Sequence, residues 1–584
     1  MYILGIHTGH DASVAIFHNF KLVAFTKEER ISRVKCDGVK IPELSIADCL
    51  KKASISISDI DAVALSRSHF PLSVYKRTSK NIRNTVRKLL GVGSNKLFIL
   101  SNEMHFNGVD NESELIDVNE LRSLLGVASD TKINFTNHHL SHALGSFYFT
   151  TWKKKALYIT ADGGGDGAFY SAYFFNGNAL ENIHKSENTI QRPQHPQASI
   201  GQAYSIVTEL LGFTRNKHEG KITGLAAFGK GKFTKQILSV FKIDSDLNIN
   251  STLESGKQLE EFLTEIYKKT SKEELAASIQ QATEILIVDW VRKIQKKYDF
   301  NYIGMSGGVF SNVKLNQEVA KIENINEVFI FPPMGDDGLS VGNIVDFLIK
   351  EHGIKNVIHY RSVMEIPYFG NIYSQADIVS QVNNFKDLKV YKKSDYIKVS
   401  AKLLEDYIGA IFFDGMEMGP RALGARTIMA SPKNKDINNS LNQRLDRTEF
   451  MPFAPFVRDV DAEEVYEIND VNRHACKFMT ITTNVKNKFI KNISAVVHVD
   501  NTARPQIIYR NDNYLYYDIL TEFYKITKIP TLVNTSFNAH EEPIINSPKE
   551  AIEALLGNRM DFLIFEGFIV YRLDRADLED LIYQ

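Results

Sequence analysis

The chain has 584 residues, 43 % of them hydrophobic and 24 % charged, with a formal net charge of −1. That length predicts two or three domains of ordinary globular composition. The even charge balance excludes a broad basic field for nucleic acid, and no apolar run approaches the roughly 18–20 residues that span a bilayer.

Three cysteines, Cys36, Cys49 and Cys476, form no CxxC pair. They predict a reducing compartment and no cysteine metal site. The opening MYILGIHTG lacks the basic region and small-residue cleavage site of a signal peptide, so the expected location is the cytoplasm.

Tyr2–Ile6, Ala12–Phe17 and Leu22–Thr26 read as three short strands, with Gly9-His10-Asp11 and His18-Asn19 as turns. Ala156–Ala161, Gly167–Phe175 and Leu180–His184 repeat the plan around Asp162-Gly163-Gly164-Gly165-Asp166. Two strand-loop-helix units follow: Tyr302–Met305 with a helix from about Asn312, and Val328–Phe331 with a helix from about Leu339. Two such meanders, each followed by αβ units, predict the actin-like (sugar-kinase-like) two-lobed ATPase fold. Residues 259–298 carry apolar positions at helical spacing without Pro or Gly and read as packing helices. A helix over Ile344–Lys350 ends at Glu351-His352-Gly353. The predicted domains are 1–352, a linker over 353–373, and a second α/β domain over 374–584.

His138 and His142 stand at i and i+4, so a helix presents both on one face. Such a pair alone is more often a surface or core feature. Asp162 and Asp336, each heading a glycine turn, complete two nitrogen and two oxygen donors suited to Fe(II), Zn(II) or Mn(II). His139 points off that face and reads as packing or outer support.

Other words carry weaker signals. His10-Asp11 occupies the first hairpin turn, where it positions or deprotonates a hydroxyl or simply caps the turn. Glu28-Glu29-Arg30 reads as a structural ion-pair word. Lys221, in Glu219-Gly220-Lys221-x-x-Gly224, reaches a phosphate or stays solvated. Gly307-Gly308-Val309-x-x-Asn312 is a nucleotide loop or a tight turn. In the second domain, Gly419-Pro420-Arg421 cannot continue a helix or strand. With Arg426, Asn442, Arg447 and Phe453-Ala454-Pro455 it suggests an anion site rather than a solvated turn. Arg504 and the run Asn534-Thr535-Ser536-Phe537-Asn538 offer further donors, though the run alone is an ordinary loop.

These words together resemble the O-carbamoyltransferases of the nodulation, cephem and tobramycin type. The similarity runs through the H-D-A-S, E-E-R, H-H-x-x-H-A, G-K-x-x-G-L-A, G-P-R-A-L-G-x-R and P-F-A-P words along nearly the whole chain. The resemblance implies an N-terminal part like the tRNA threonylcarbamoyl-transferase and a C-terminal part like the threonylcarbamoyl-adenylate synthase. It implies carbamoyl phosphate, ATP with Mg2+, and a hydroxyl-bearing acceptor as partners, and a metal on His138, His142, Asp162 and Asp336. It places the nucleotide on Lys221, Gly307, Gly308 and Asn312, with His10 and Asp11 beside the acceptor. Carbamoyl phosphate and ATP would meet Arg421, Arg444, Arg447, Arg504, Asn534, Ser536 and Asn538. Nucleic acid and membrane are not expected partners, and a homodimer is compatible with the chain. Two positions depart from the pattern: Leu445 replaces a Lys and Met451 an Arg, leaving Arg444 as the expected substitute. A kinase on the same fold, or an ATP-binding protein that no longer activates carbamoyl phosphate, are the alternatives.

Overall fold

A computed structural model describes residues 1–38, 40–77, 97–183, 198–448 and 450–583. The chain divides into two compact units, Met1–Ser32 with Cys36–Met364 and Arg33–Lys35 with Glu365–Gln584.

The first unit holds two five-stranded sheets of one design. In the first, β1 (Tyr2–His7), β2 (Ser13–His18) and β3 (Lys21–Lys27) form an antiparallel meander, and β4 (Ile60–Ser66) and β5 (Lys132–Thr136) add in parallel. The strand order is β3-β2-β1-β4-β5. The second repeats it as β8-β7-β6-β9-β10, from β6 (Ala156–Gly165), β7 (Ala168–Phe175), β8 (Leu180–Asn182), β9 (Tyr302–Ser306) and β10 (Glu327–Ile330). This duplicated mixed sheet is the actin-like fold. Parallel strands need helical cover on both faces, which is why β4 and β10 are almost wholly apolar and buried.

Two helices set the site. Helix α1 (His138–Tyr148) follows β5, and α2 (Leu339–His352) follows a short turn after β10. They meet at backbone distance, because a Cβ on Gly342 would lie 1.9 Å from the Ser141 carbonyl oxygen. Helix α2 also lies against β1, where a Cβ on Gly5 would lie 2.0 Å from the Ser340 carbonyl oxygen.

Three local readings change. Strand β6 runs through Asp162 to Gly165 past a bulge, and pairing resumes at Gly165 with Ala168. The tight turn is Asp166-Gly167, with φ of 49° and 77°, the left-handed pair that two-residue hairpins favour. The 353–373 segment contains a helix, Ile354–Tyr360, rather than irregular chain throughout. Strand β8 ends at Asn182, and His184 lies outside the described residues. The packing helices are Gly256–Tyr267 and Lys272–Tyr298.

The second unit is built on an eight-stranded mixed sheet. Its strands are β11 (Leu388–Tyr391), β12 (Gly409–Phe412), β13 (Arg426–Ala430), β14 (Ala454–Arg458), β15 (Gln506–Ile508), β16 (Thr531–Ser536), β17 (Phe562–Phe565) and β18 (Phe568–Arg572). The order is β11-β18-β17-β12-β13-β16-β14-β15. Leu515, Ile519, Phe523 and the Tyr516 ring, stacked 3.8 Å from Phe456, pack its core. Among the described residues no helix is long and apolar enough to cross a membrane.

Candidate functional site

The first unit brings His138, His142, Asp162 and Asp336 together, with one ligand atom of each within 4.8 Å of the others. Three local devices deliver them, helix α1 carrying both histidines. Asn137 caps α1 by accepting from the Leu140 amide at 3.0 Å, and Asp166 accepts from the His138 amide at 2.9 Å. The bulged end of β6 delivers Asp162, and the turn before α2 delivers Asp336. Gly165 leaves room for the His138 ring, since a Cβ there would lie 2.2 Å from His138 Cγ.

The donor atoms converge. His142 Nε2 lies 3.2 Å from His138 Nε2, 3.1 Å from Asp162 Oδ2 and 3.4 Å from Asp336 Oδ1. His138 Nε2 is 3.7 Å from Asp336 Oδ1 and 3.9 Å from Asp162 Oδ2. With metal–ligand bonds of about 2.0–2.2 Å, tetrahedral donors stand roughly 3.3–3.6 Å apart. The observed spacings bracket that edge, so the residues fit a divalent cation of nitrogen/oxygen preference. The electrostatics agree. Burial opposes charge on His142, yet the Asp162 and Asp336 carboxylates overcome it and push the ring up to about 9. The cluster calls for positive charge at its centre.

Two neighbouring imidazoles are neutral supports. His139 Nε2–H donates to the Ala168 carbonyl at 2.9 Å while Nδ1 accepts from Thr160 at 2.7 Å, and burial pushes it down to about 3. His7, absent from the sequence-derived set, donates from Nε2 to the His10 carbonyl at 3.1 Å and accepts at Nδ1 from Ser66 at 2.7 Å. Its Nε2 is 3.8 Å from Asp336 Oδ2, and burial pushes it down to about 4. The only sequence signal for His7 is its place at the C-terminal end of β1.

His10 and Asp11 form one pair, His10 Nδ1 lying 2.8 Å from Asp11 Oδ2. Lys27, also missed in the sequence, is buried at the end of β3 and donates to Asp11 Oδ1 at 3.0 Å. It lies 3.5 Å from Asp337 and 3.6 Å from Glu29. Glu28 accepts from the Ser45 amide at 2.9 Å and Glu29 lies 3.6 Å from Arg30. The acidic word is therefore a buried structural network.

The glycine loop adjoins the cluster. The Gly308 amide donates to Asp162 Oδ2 at 3.1 Å, and Gly307, at φ 100°, sits where a Cβ would lie 2.3 Å from the Ala161 carbonyl oxygen. Asn312 opens the next helix: its Oδ1 caps the Leu315 amide, and its side-chain amide exchanges hydrogen bonds with Gln280 at 2.8 and 3.1 Å. Lys221 is buried, with Nζ 5.5 Å above the Phe213 ring, and so is no solvated lysine.

In the second unit the Gly419–Arg426 turn is organised by a residue the sequence reading passed over. Buried Glu417 accepts at Oε1 from the amides of Leu423, Ala425 and Arg426 at 2.8–2.9 Å. The Arg426 guanidinium is fully buried, stacks 3.6 Å over Phe412 and donates to the carbonyls of Phe413, Asp414 and Ala425. It holds the turn. Asn534 is likewise internal: its amide donates to Ala422 and Gln506 at 3.0 and 2.8 Å, and Gln506 donates to Leu423 at 2.7 Å. These bonds brace the turn carrying Arg421 and the strand after Arg504, both guanidinium-bearing residues being half-buried.

Arg447 binds its own protein. It donates to Thr535, to Ser536 at carbonyl and hydroxyl, and to Asn538 at carbonyl and side chain, all at 2.7–3.0 Å. Asn538 donates onward to Ala539 and Glu542. Arg444, the residue beside Leu445, pairs with buried Asp561 at 3.1 Å. Leu445 is fully buried, so its position belongs to the core.

Comparison with known proteins agrees with this architecture. The family profile described as Carbamoyltransferase N-terminus matches residues 2–345, and Carbamoyltransferase C-terminus matches 400–572. The chain belongs to the carbamoyltransferase family of the nodulation type. The uncharacterized protein MJ1058 of Methanocaldococcus jannaschii is 31 % identical over 75 % of this chain and 74 % of its own. Nodulation protein NolNO of Sinorhizobium fredii is 27 % identical over 96 % of this chain and 79 % of its own. Nodulation protein U of Azorhizobium caulinodans is 28 % identical over 40 % of this chain and 39 % of its own. Among solved structures, full-length HypF in its phosphate- and nucleotide-bound form covers 60 % of this chain and 56 % of its own at 13 % identity, with a TM-score of 0.35.

Proposed function

We propose that this carbamoyltransferase is an ATP-dependent O-carbamoyltransferase working in two steps. In the 374–584 domain, water cleaves carbamoyl phosphate to carbamate and phosphate, and the carbamate oxygen attacks the α-phosphorus of ATP to give carbamoyl-AMP and pyrophosphate. In the 1–352 domain, the carbamoyl group passes to a hydroxyl of a small-molecule or glycan acceptor and AMP leaves. The observation that carries the reading is the convergence of two imidazoles and two carboxylates beside the Gly308 amide, in a member of this family.

His138, His142, Asp162 and Asp336 would hold a divalent ion, Fe2+ foremost with Zn2+ or Mn2+ as alternatives. Such an ion supplies Lewis-acid polarisation of the carbamoyl carbonyl. The Gly307-Gly308 loop and Lys221 approach the AMP phosphate. The His10–Asp11 ion pair orients the acceptor hydroxyl, whose proton leaves with AMP as the new C–O bond forms. In the activating domain Arg421 and Arg504 offset charge on the phosphates, while Arg447, Ser536, Asn538 and Asn534 hold the loops that carry them.

The test combines ATP, carbamoyl phosphate, Mg2+ and Fe2+ with a panel of hydroxyl acceptors. AMP, pyrophosphate and an acceptor heavier by one carbamoyl group are expected. ADP with a phosphorylated acceptor would instead make the protein a kinase. No turnover, with His138→Ala and Arg421→Ala both harmless in the cell, would make it a binding protein.

A further inference from the structure

A second group of candidate ligands lies apart from the four-residue cluster. His10, Asp11 and Cys36 each offer one donor atom, and the three lie within 4.8 Å of one another. The His10 ring lies 2.8 Å from Asp11 Oδ2, with the Cys36 sulfur within 4.8 Å of the His10 and Asp11 donor atoms. Both Asp11 and Cys36 hold left-handed backbones, at φ 60° and 57°, a conformation costly for residues other than glycine. That strain is maintained by surrounding bonds. The Cys36 amide donates to Glu29 Oε2 at 2.9 Å, and the Ala12 amide donates to the Asp37 carbonyl at 3.1 Å. The loop bearing Cys36 is thereby fixed against the turn bearing His10 and Asp11.

The surroundings suit a cation. Asp11, Glu29 and Asp337 are three carboxylates gathered around Lys27, with Arg30 beside Glu29. Lys27 engages Asp11 Oδ1, which leaves Oδ2 directed at His10. The His10 side chain is 43 % exposed, so solutes reach it.

We propose that His10, Asp11 and Cys36 form a second metal site, one that takes a thiophilic divalent ion of the Zn2+ class with an open fourth position. One sulfur, one nitrogen and one oxygen ligand with a vacant place is a donor set zinc accepts. Sulfur distinguishes this site from the nitrogen/oxygen cluster, which suits Fe2+ or Mn2+ equally well. Because His10 and Asp11 also serve the acceptor in the function proposed above, occupation would stop transfer. That consequence rests on the proposed function, whereas binding does not.

Co2+ serves as the probe on the full-length protein, whose other two cysteines, Cys49 and Cys476, are fully buried. With the four-residue cluster taking its own equivalent, wild type is expected to develop a thiolate-to-cobalt charge-transfer band by two equivalents. Cys36→Ser should abolish the band, and His10→Ala should weaken binding at least about tenfold. Cys36→Ala serves if the serine variant does not fold, with circular dichroism as the check on each. No band in wild type, a band surviving in Cys36→Ser, or unchanged affinity in His10→Ala would overturn the site. In a second arm, Zn2+ should inhibit carbamoyl transfer by wild type and not by Cys36→Ser. Binding without inhibition would leave the metal site standing and remove His10 from the transfer step.

Discussion

His142 sits between two half-buried carboxylates and against a second, buried imidazole. Four such groups without a central cation leave two carboxylates facing each other and two Nε2 atoms sharing one contact. Removing one ligand should therefore cost more metal affinity than the about 10–100-fold typical of outer supports. His142→Ala and Asp336→Asn are expected to lose bound metal on dialysis and to lose transfer from supplied carbamoyl-AMP. Full metal retention in both variants would remove the cluster from the mechanism. His10 makes a separate prediction. Its folded pKa is raised, so its stabilising contribution is complete below its ordinary value of about 6.5 and is lost as pH rises through about 11. Asp11 is held low by Lys27 and His10 against its burial, so its contribution is present above about 3.9 and lost on acidification. The pair is thus stabilising across neutral pH. Histidine hydrogen–deuterium exchange should place the His10 midpoint well above 6.5 in wild type and nearer that value in Asp11→Asn.

Elements deliver these side chains through close backbone approach. Helices α1 and α2 meet at Gly342, and the β6 bulge passes the His138 ring at Gly165. Gly342→Ala inserts a methyl into the Ser141 carbonyl and should destabilise the protein by about 1–3 kcal/mol in urea unfolding. Gly165→Ala should leave the fold largely intact while displacing the His138 ring, so metal affinity falls more than stability. Equal losses of both would mean that Gly165 acts through folding alone. In the second unit the 535–538 loop hangs on five hydrogen bonds from one guanidinium. A lysine cannot reproduce that fork. Arg447→Lys should lower stability by about 1–3 kcal/mol and weaken ATP-dependent adenylate formation; an unchanged melting curve would argue that Arg447 serves the ligand instead.

The whole chain joins an actin-like unit bearing the His/Asp cluster to a second unit bearing the Gly419–Arg426 turn. If activation and transfer are divided between them, single substitutions should separate the two half-reactions. Arg421→Ala is expected to abolish pyrophosphate release from ATP and carbamoyl phosphate while transferring supplied carbamoyl-AMP normally. His142→Ala should show the reverse. Loss of both half-reactions in either variant would contradict the division of labour.

Periodicity and turn residues made much of this legible without coordinates. The twofold meander, the i, i+4 histidine pair and the glycine words are local patterns, and local patterns survive in a sequence. The fold class followed from the meanders, and the family from the resemblance that the motif words carry. Tertiary structure alone decided which polar residues face inward. Glu417 accepts three amides, Arg426 stacks under its own turn, and Asn534 ties β16 to the 420s. Leu445 belongs to the core, and Arg444 binds Asp561, 117 residues onward. His7 and Lys27 acquire their roles only beside Asp336 and Asp337, more than three hundred residues away in number. The physical reason is common to all of them. A buried polar group must find its partner wherever packing places one, and sequence spacing carries no record of contacts made across sheets.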